Sequence, residues 1–372
     1  MAVNVGVPRE TKEGEHRVAL TPDGAQELVA HGHRVLIERG AGEDSSIHDR
    51  EYVAAGADLV DAADAWGAGL VVKVKEPQAA ELAHLRADAV LFTYLHLAAY
   101  PEVARGLLDA GTTALAYETV QTADGGLPLL APMSEVAGRM APQIGAHHLE
   151  RDAGGRGVLL GGAPGVRPAR VVVLGAGNVG WNAAWIAQGM EAEVLLLDRN
   201  LERLRWVDQI HRGRIMTLAS NRGVIERSVA EADLVIGAVL VPGGRAPVLV
   251  TDDMVAAMKP GAVIVDVAVD QGGCVETIHE TSHAHPTYVV HDVIHYAVGN
   301  VPGAVPHTST YALTSATLPY VVELAGLGVR EAVSRDRALL GGVTTVDGRL
   351  TNAAAAEALG MTAADPLACL AG

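Results

Sequence analysis

The stretch that most constrains the fold runs from Val171 to Asp198. Val171-Val172-Val173-Leu174 is a short apolar, mostly β-branched run, the pattern of a strand buried on both faces of a parallel sheet. Gly175, Gly177 and Gly180 follow at G-x-G-x-x-G spacing and open a helical stretch reaching about Gly189. A second apolar run, Val194 to Leu197, ends in Asp198, 18 residues past Gly180. In a chain with 42 glycines the spacing alone means little; strand, turn, helix, strand and terminal acid together make it specific. Each part has a task in holding a dinucleotide. The first glycine permits the tight turn, the second lets the backbone approach a pyrophosphate, and the third lets helix and strand pack closely. The helix N-terminus offers free N–H groups to the phosphates. Asp198 accepts hydrogen bonds from the adenosine ribose hydroxyls and repels a 2′-phosphate, which selects NAD over NADP.

At 372 residues the chain has room for two or three domains. Apolar residues make up 49% and charged ones 19%, a globular balance. The net charge of −16 argues against a nucleic-acid surface or an anionic membrane surface. Cys274 and Cys369 form no disulfide or metal pattern and fit a reducing cytoplasm, and no metal is expected. The N-terminus reads as a strand that turns charged at once, unlike a secretory signal. No apolar run approaches the ~18 residues of a membrane span.

Short apolar runs at Val3–Val7, Val35–Ile37, Leu70–Val74, Val90–Thr93 and Thr113–Ala116 alternate with helix-length segments, which predicts a parallel sheet over residues 1–128. This first α/β unit lacks a nucleotide fingerprint. Lys73 and Lys75 close one strand and His96 lies just past another, where open α/β sheets bind ligands. The loop after the first strand, Pro8 to Arg17, is densely charged, and Thr21-Pro22 reads as a helix start. Around the junction, Ser134 is expected to cap a helix. Later strands are expected at Leu234–Leu240, Val263–Val269 and Tyr288–Val290. Thr308 to Leu327 reads as a long helix returning to the first domain, and the Ala-rich tail from Glu331 reads as largely helical. The expected fold is α/β, two doubly wound, Rossmann-like parallel-sheet domains: a discontinuous one at 1–128 and 308–372, and an NAD-binding one at 129–307.

An NAD domain in a redox enzyme needs a partner presenting substrate, and a group that moves a proton while hydride moves. His96 is the residue type that titrates near neutrality. Arg17 and Lys75 suit a carboxylate, one as a bidentate fork and the other as a point charge. Asp270, ending an apolar strand, reads either as a second proton-handling acid or as an orienting or capping group. Nothing nearby activates Cys274 as a nucleophile.

Several segments resemble the alanine dehydrogenase family, shared with the NAD-binding part of proton-translocating transhydrogenases. They are Gly6-Val-Pro-Arg-Glu-Thr-Lys-Glu-Gly-Glu-His-Arg17, Val72-Lys-Val-Lys75-Glu-Pro77, Leu91-Phe-Thr-Tyr-Leu-His96 and Ala116-Tyr-Glu-Thr-Val-Gln-Thr122, followed by Pro132-Met-Ser-Glu-Val-Ala-Gly138, Asp266-Val-Ala-Val-Asp270-Gln-Gly-Gly273 and Thr308-Ser-Thr-Tyr-Ala-Leu313. The resemblance implies proton-transfer groups at His96 and Asp270 and substrate-carboxylate groups at Arg17 and Lys75. It implies cofactor contacts at Ser134, Asn178, Val179, Asp198, Arg203, Ser220, Val239, Leu240, Val267, Val298 and Asn300, beside the fingerprint glycines. It further implies a homo-hexamer. Gly14, Glu191, His307 and Ser315 depart from the family pattern. The activity so implied is reversible NAD-dependent oxidative deamination of L-alanine to pyruvate and ammonium. The rival readings are an NAD(H)-binding transhydrogenase subunit and a dehydrogenase of larger amino acids or opines.

Overall fold

The computed structural model describes residues 2–239, 246–269 and 272–371. Among them are fifteen strands: β1 Asn4–Val7, β2 Arg34–Glu38, β3 Asp58–Val60, β4 Leu70–Val72, β5 Val90–Thr93, β6 Thr113–Ala116, β7 Arg170–Leu174, β8 Glu193–Asp198, β9 Met216–Ala219, β10 Leu234–Gly237, β11 Val263–Asp266, β12 Thr287–Val290, β13 Val293–Tyr296, β14 Val343–Val346 and β15 Arg349–Leu350. The chain divides into two compact units, Met1–Met133 with Val305–Gly372, and Ser134–Ala304.

The first unit holds a sheet in the order β15-β14-β6-β5-β4-β1-β2-β3. Strands β1 to β6 pair in parallel, and the C-terminal β14 and β15 extend the sheet antiparallel beyond β6. The order reverses between β1 and β4, so the loops leaving those two strands diverge and open a crevice at the sheet's carboxyl edge. Helix Pro22–Ala30 starts where the sequence placed it, with the Thr21 side chain accepting from Gly24 N.

The second unit holds the order β12-β13-β11-β10-β7-β8-β9, parallel except for β12. Its crevice opens between β7 and β10. Period-two alternation fills both faces. Val171 and Val173 of β7 join one core with Ala183, Ala184 and Ala187 of helix Asn178–Gly189. Val172 and Leu174 join the other, with Ile225 and Val229 of helix Arg222–Glu231. Fully burying one such valine or leucine contributes about 1.5–3 kcal/mol, so an apolar strand flanked by two small-residue or β-branched faces fixes a doubly wound sheet.

Some boundaries differ from those expected. The first unit extends to Met133, because Leu129 is buried in it and accepts a hydrogen bond from the Tyr94 hydroxyl at 2.6 Å. Helix Ala131–His148 starts three residues before Ser134, which therefore lies in its first turn and is not its cap. Helix Pro306–Leu327 begins at a proline, and the second unit ends at Ala304. Strand β11 stops at Asp266, whose carboxylate accepts from Ala268 N (2.9 Å) and Cys274 N (2.7 Å) and bends the chain out of the sheet. The tail is largely helical, as expected, with Val343–Val346 and Arg349–Leu350 forming a hairpin between its helices. Among the described residues no helix is long and apolar enough to cross a membrane.

Candidate active site

In the first unit the candidate groups fall on the loops at the carboxyl edge of the sheet. Arg17 follows β1, Lys75 follows β4 and His96 follows β5. Arg17 is buried and its fork is engaged by Glu15: Nε donates to Oε1 at 2.7 Å and Nη2 to Oε2 at 2.6 Å. Nη1 donates to Met133 Sδ at 2.8 Å. Burial alone would raise the Glu15 carboxyl, but the Arg17 charge and hydrogen bonds, with the Lys75 charge, hold it down to about 2. Gly14, at φ +72, turns the loop just before this pair.

The backbone flanking Arg17 is pinned from two sides. Val18 N donates to Thr310 Oγ1 at 3.1 Å, and Ser45 Oγ donates to the His16 carbonyl at 2.8 Å. Ser45 and Thr310 hydroxyls meet at 2.9 Å, and the His307 ring Nδ1 lies 2.8 Å from the Ser45 carbonyl. Helix Pro306–Leu327 is thus built into the loop that carries Arg17.

The two lysines lie just past the end of β4, and the chain bends at Val74 and Lys75, so they do not share one environment. Lys73 is fully buried in ion pairs with Glu10 (3.2 Å) and Glu81 (3.1 Å) and lies 5.6 Å from the Trp66 ring centroid. Burial would lower its ammonium, but those two carboxylates push it up, so it stays charged in a structural role. Glu10 also accepts from the amides of Val74 (2.7 Å) and Lys75 (3.3 Å), fixing the backbone under Lys75. The Lys75 ammonium is lowered by burial and by the Arg17 charge, the condition of a cation that gains from an arriving carboxylate.

His96 has a left-handed backbone, φ +46, uncommon for a residue with a Cβ. Its ring stacks on Tyr94, centroids 5.7 Å apart and 3° from parallel. The Glu118 carboxylate, past the end of β6, accepts from His96 N at 2.6 Å and from Leu95 N at 3.2 Å.

In the second unit the fingerprint glycines have distinct surroundings. Gly175 has φ +102, and a Cβ there would lie 2.6 Å from the Ala238 carbonyl oxygen. A Cβ on Gly180 would lie 1.7 Å from the Gly175 oxygen. A Cβ on Gly177 would meet only the Arg203 guanidinium, at 3.9 Å. Gly177 is also the N-cap of helix Asn178–Gly189 and provides no side-chain cap, so the first-turn N–H groups, including those of Asn178 and Val179, face that open space. This is the cradle a pyrophosphate fits. Asp198 ends β8; Oδ2 accepts from Ala176 N at 2.6 Å and Oδ1 from Asn200 N at 2.7 Å. Each oxygen keeps a lone pair for a ribose hydroxyl. Arg203 Nη1 stands 3.9 Å from Asp198 Oδ2.

The remaining expected contacts leave the same carboxyl edge: Ser220 after β9, Val239 after β10, Val267 after β11, Val298 and Asn300 after β13. Ser220 N donates to the Asp198 carbonyl and Val267 N to that of Gly237, which ties neighbouring loops together. Val298 is buried, and Asn300 has φ +60. Ser134 is one turn before Gly138, whose missing Cβ leaves 2.3 Å to the Val179 oxygen and lets the two helices cross. Leu240 and Asp270 lie outside the described residues. Glu191, where the family pattern has glycine, takes the left-handed φ of +66 that a glycine would supply. Among the described residues no group of three or more His, Cys, Asp or Glu is placed to hold a metal ion. Sequence reasoning missed Glu15, Glu10 and Glu118. The signal available was an acid at a strand's carboxyl end or two residues from the arginine it grips.

A dinucleotide fingerprint on one doubly wound unit and a cationic, histidine-bearing carboxyl edge on the other define the layout of an oxidoreductase. Family models for "Alanine dehydrogenase/PNT, N-terminal domain" and "Alanine dehydrogenase/PNT, C-terminal domain" match residues 6–137 and 141–353. The alanine dehydrogenase of Mycobacterium tuberculosis (strain H37Rv) is 57% identical over 99% of this chain and 100% of its own. That of Bacillus subtilis (strain 168) is 54% identical over 96% and 94%. A solved L-alanine dehydrogenase superposes with a TM-score of 0.94 at 52% identity, covering 96% of this chain and 99% of that one. A transhydrogenase from Sinorhizobium meliloti gives 0.81 at 26% identity, covering 94% and 99%. The chain belongs to the alanine dehydrogenase/PNT family.

Proposed function

We propose that the chain catalyses L-alanine + NAD⁺ + water to pyruvate, ammonium, NADH and a proton, reversibly. The observation that carries this reading is the grouping of Arg17, Lys75 and His96 on three loops of one carboxyl edge. A small 2-amino acid needs two cations for its carboxylate and one proton-moving group at Cα, and little else. NAD⁺, when bound, supplies the acceptor for the Cα hydride. The Gly177 cradle and the first turn of helix Asn178–Gly189 hold its pyrophosphate, and Asp198 holds its adenosine ribose.

Lys75 and Arg17 hold the substrate carboxylate, and Glu15 orients the arginine fork. Loss of hydride leaves an imine at Cα. His96 takes a proton from the water that adds to that imine and returns it as ammonia leaves the carbinolamine. The family resemblance implies a part in the same proton traffic for Asp270. The oligomer proposed is the homo-hexamer, which light scattering on the purified protein checks, and the compartment proposed is the cytoplasm.

The test is NADH oxidation with pyruvate and ammonium. Turnover requires both, prefers pyruvate over larger 2-oxo acids, and fails with NADPH. Hydride exchange between dinucleotides without any need for pyruvate would favour the transhydrogenase reading.

A further inference from the structure

His96 sits between two buried leucines, Leu95 and Leu97, while its own imidazole is 37% exposed. The left-handed backbone of His96 turns the chain just past the end of β5, with the ring left part-exposed. One carboxylate holds that turn. Glu118 Oε1 accepts from His96 N at 2.6 Å and from Leu95 N at 3.2 Å, and Oε2 lies 3.2 Å from the same Leu95 amide. The same Oε1 lies 3.9 Å from His96 Nδ1. Glu118 is thus bonded to the backbone of the candidate acid–base group and charged beside its ring.

We propose that Glu118 is the positioning residue of His96. Its hydrogen bonds fix the left-handed turn that presents the imidazole, and its charge on the Nδ1 side stabilises the ring when protonated. The inference rests on the proton-transfer role given to His96 above. Of the described groups on this edge, the Lys75 ammonium is lowered by burial and by the Arg17 charge. Burial pushes the Tyr94 hydroxyl up, out of the working range, and beyond it Arg17 and Glu15 remain paired and charged. Two backbone amides and a ring nitrogen converging on one carboxylate are more than a loop staple requires. A staple needs the bonds; only an acid–base partner also needs the charge.

The test separates bonds from charge. Glu118→Gln keeps an acceptor for the amides and removes the charge; Glu118→Asp keeps the charge and shortens the reach. The measurements are kcat/KM for alanine against pH, NADH binding and thermal melting. Alanine oxidation needs neutral His96, so it rises with pH through an inflection. In Glu118→Gln that inflection moves to lower pH by about 0.5–1 unit, the size of one screened charge ~4 Å away. In Glu118→Asp the inflection stays near the wild-type position while kcat falls about tenfold or more. NADH binding is unchanged in both. An unmoved inflection in Glu118→Gln, or failure of both variants to fold, makes Glu118 a purely structural residue and overturns the proposal. Wild-type turnover of alanine is the control: if it is absent, the proposed function itself fails.

Discussion

Alanine substituted at two of the three fingerprint glycines should have opposite consequences. At Gly180 the added Cβ would lie 1.7 Å from the Gly175 oxygen, 2.8 Å from its carbonyl carbon and 3.2 Å from Ala238 Cβ. Carbon and oxygen in contact need about 3.2 Å, so strand β7 and helix Asn178–Gly189 must separate by over ~1 Å. Both elements are backbone-bonded and packed, so no side chain can relieve the overlap. Overpacking of this kind costs roughly 1–3 kcal/mol and more when backbone must move, which lowers Tm by ~4–10 °C in a unit of this size. At Gly177 the backbone is extended, φ −77 and ψ −168, and the nearest atom to a Cβ is 3.9 Å away. Alanine there restrains the unfolded chain by about 0.4–1 kcal/mol and weakens the N-cap slightly, so stability stays within ~1 kcal/mol of wild type. The methyl group instead fills the space where the pyrophosphate approaches, and NADH affinity falls by ~10²-fold. Fluorescence titration with NADH and thermal melts on both variants separate the two effects. A Gly177→Ala protein that binds NADH like wild type, or a Gly180→Ala protein that melts like wild type, refutes the reasoning.

Asp198→Ala removes two loop hydrogen bonds and the carboxylate proposed to bind the adenosine ribose; NAD⁺ use should weaken while NADP⁺ use rises, read as the ratio of kcat/KM values. Arg17→Lys leaves Glu15 without its fork and should lower kcat/KM for alanine by ~10²-fold with NADH binding intact, whereas a near-wild-type value would remove Arg17 from substrate binding. Glu15 is held at about 2 from 4.5; because its folded value is depressed, its stabilisation of roughly 3 kcal/mol is present above pH ~4.5 and is lost as pH falls toward 2. Acid unfolding of Glu15→Gln should lack that component, and identical acid transitions in the two proteins would contradict it. Cys274 and Cys369 are buried, and burial pushes the Cys274 thiol well up; activity should therefore survive brief treatment with a thiol reagent, and also dialysis against a chelator.

Much of the architecture was legible because buried parallel strands write themselves as short β-branched runs. Val90–Thr93 and Thr113–Ala116 were placed to the residue, and so was the start of helix Pro22–Ala30 at its Thr-Pro cap. Not every strand was legible: edge strand β12 was expected at Tyr288–Val290, whereas edge strand β9 and the inner β13 were not. Met216–Ala219 pairs on one side only and mixes exposed with half-buried residues, so no apolar run marks it. The hairpin of β12 and β13 turns on His291 and Asp292, both left-handed, a turn usually written with Asn or Gly. The tail hairpin did carry its signal: Asp347-Gly348 between Thr-Val and Arg-Leu is a type I′ dipeptide, hidden by an alanine-rich context. At the site, strand-end positions singled out Lys75 and His96, but not which lysine faces the crevice. That choice is made by the bend after β4, where Glu10 holds the Val74 and Lys75 amides while pairing, with Glu81, with the buried Lys73. Glu118 escaped notice because its partners are backbone amides 22 and 23 residues away.

The central claim is that hydride leaves Cα of L-alanine as its carboxylate is held by Arg17 and Lys75. Incubating the protein with L-[2-²H]alanine and NAD⁺ and examining the products by NMR tests it most directly. The account predicts NADH carrying deuterium at C4 of the nicotinamide, with one pyruvate and one ammonium per NADH formed. NADH without that deuterium, or none at all with alanine present, would contradict it.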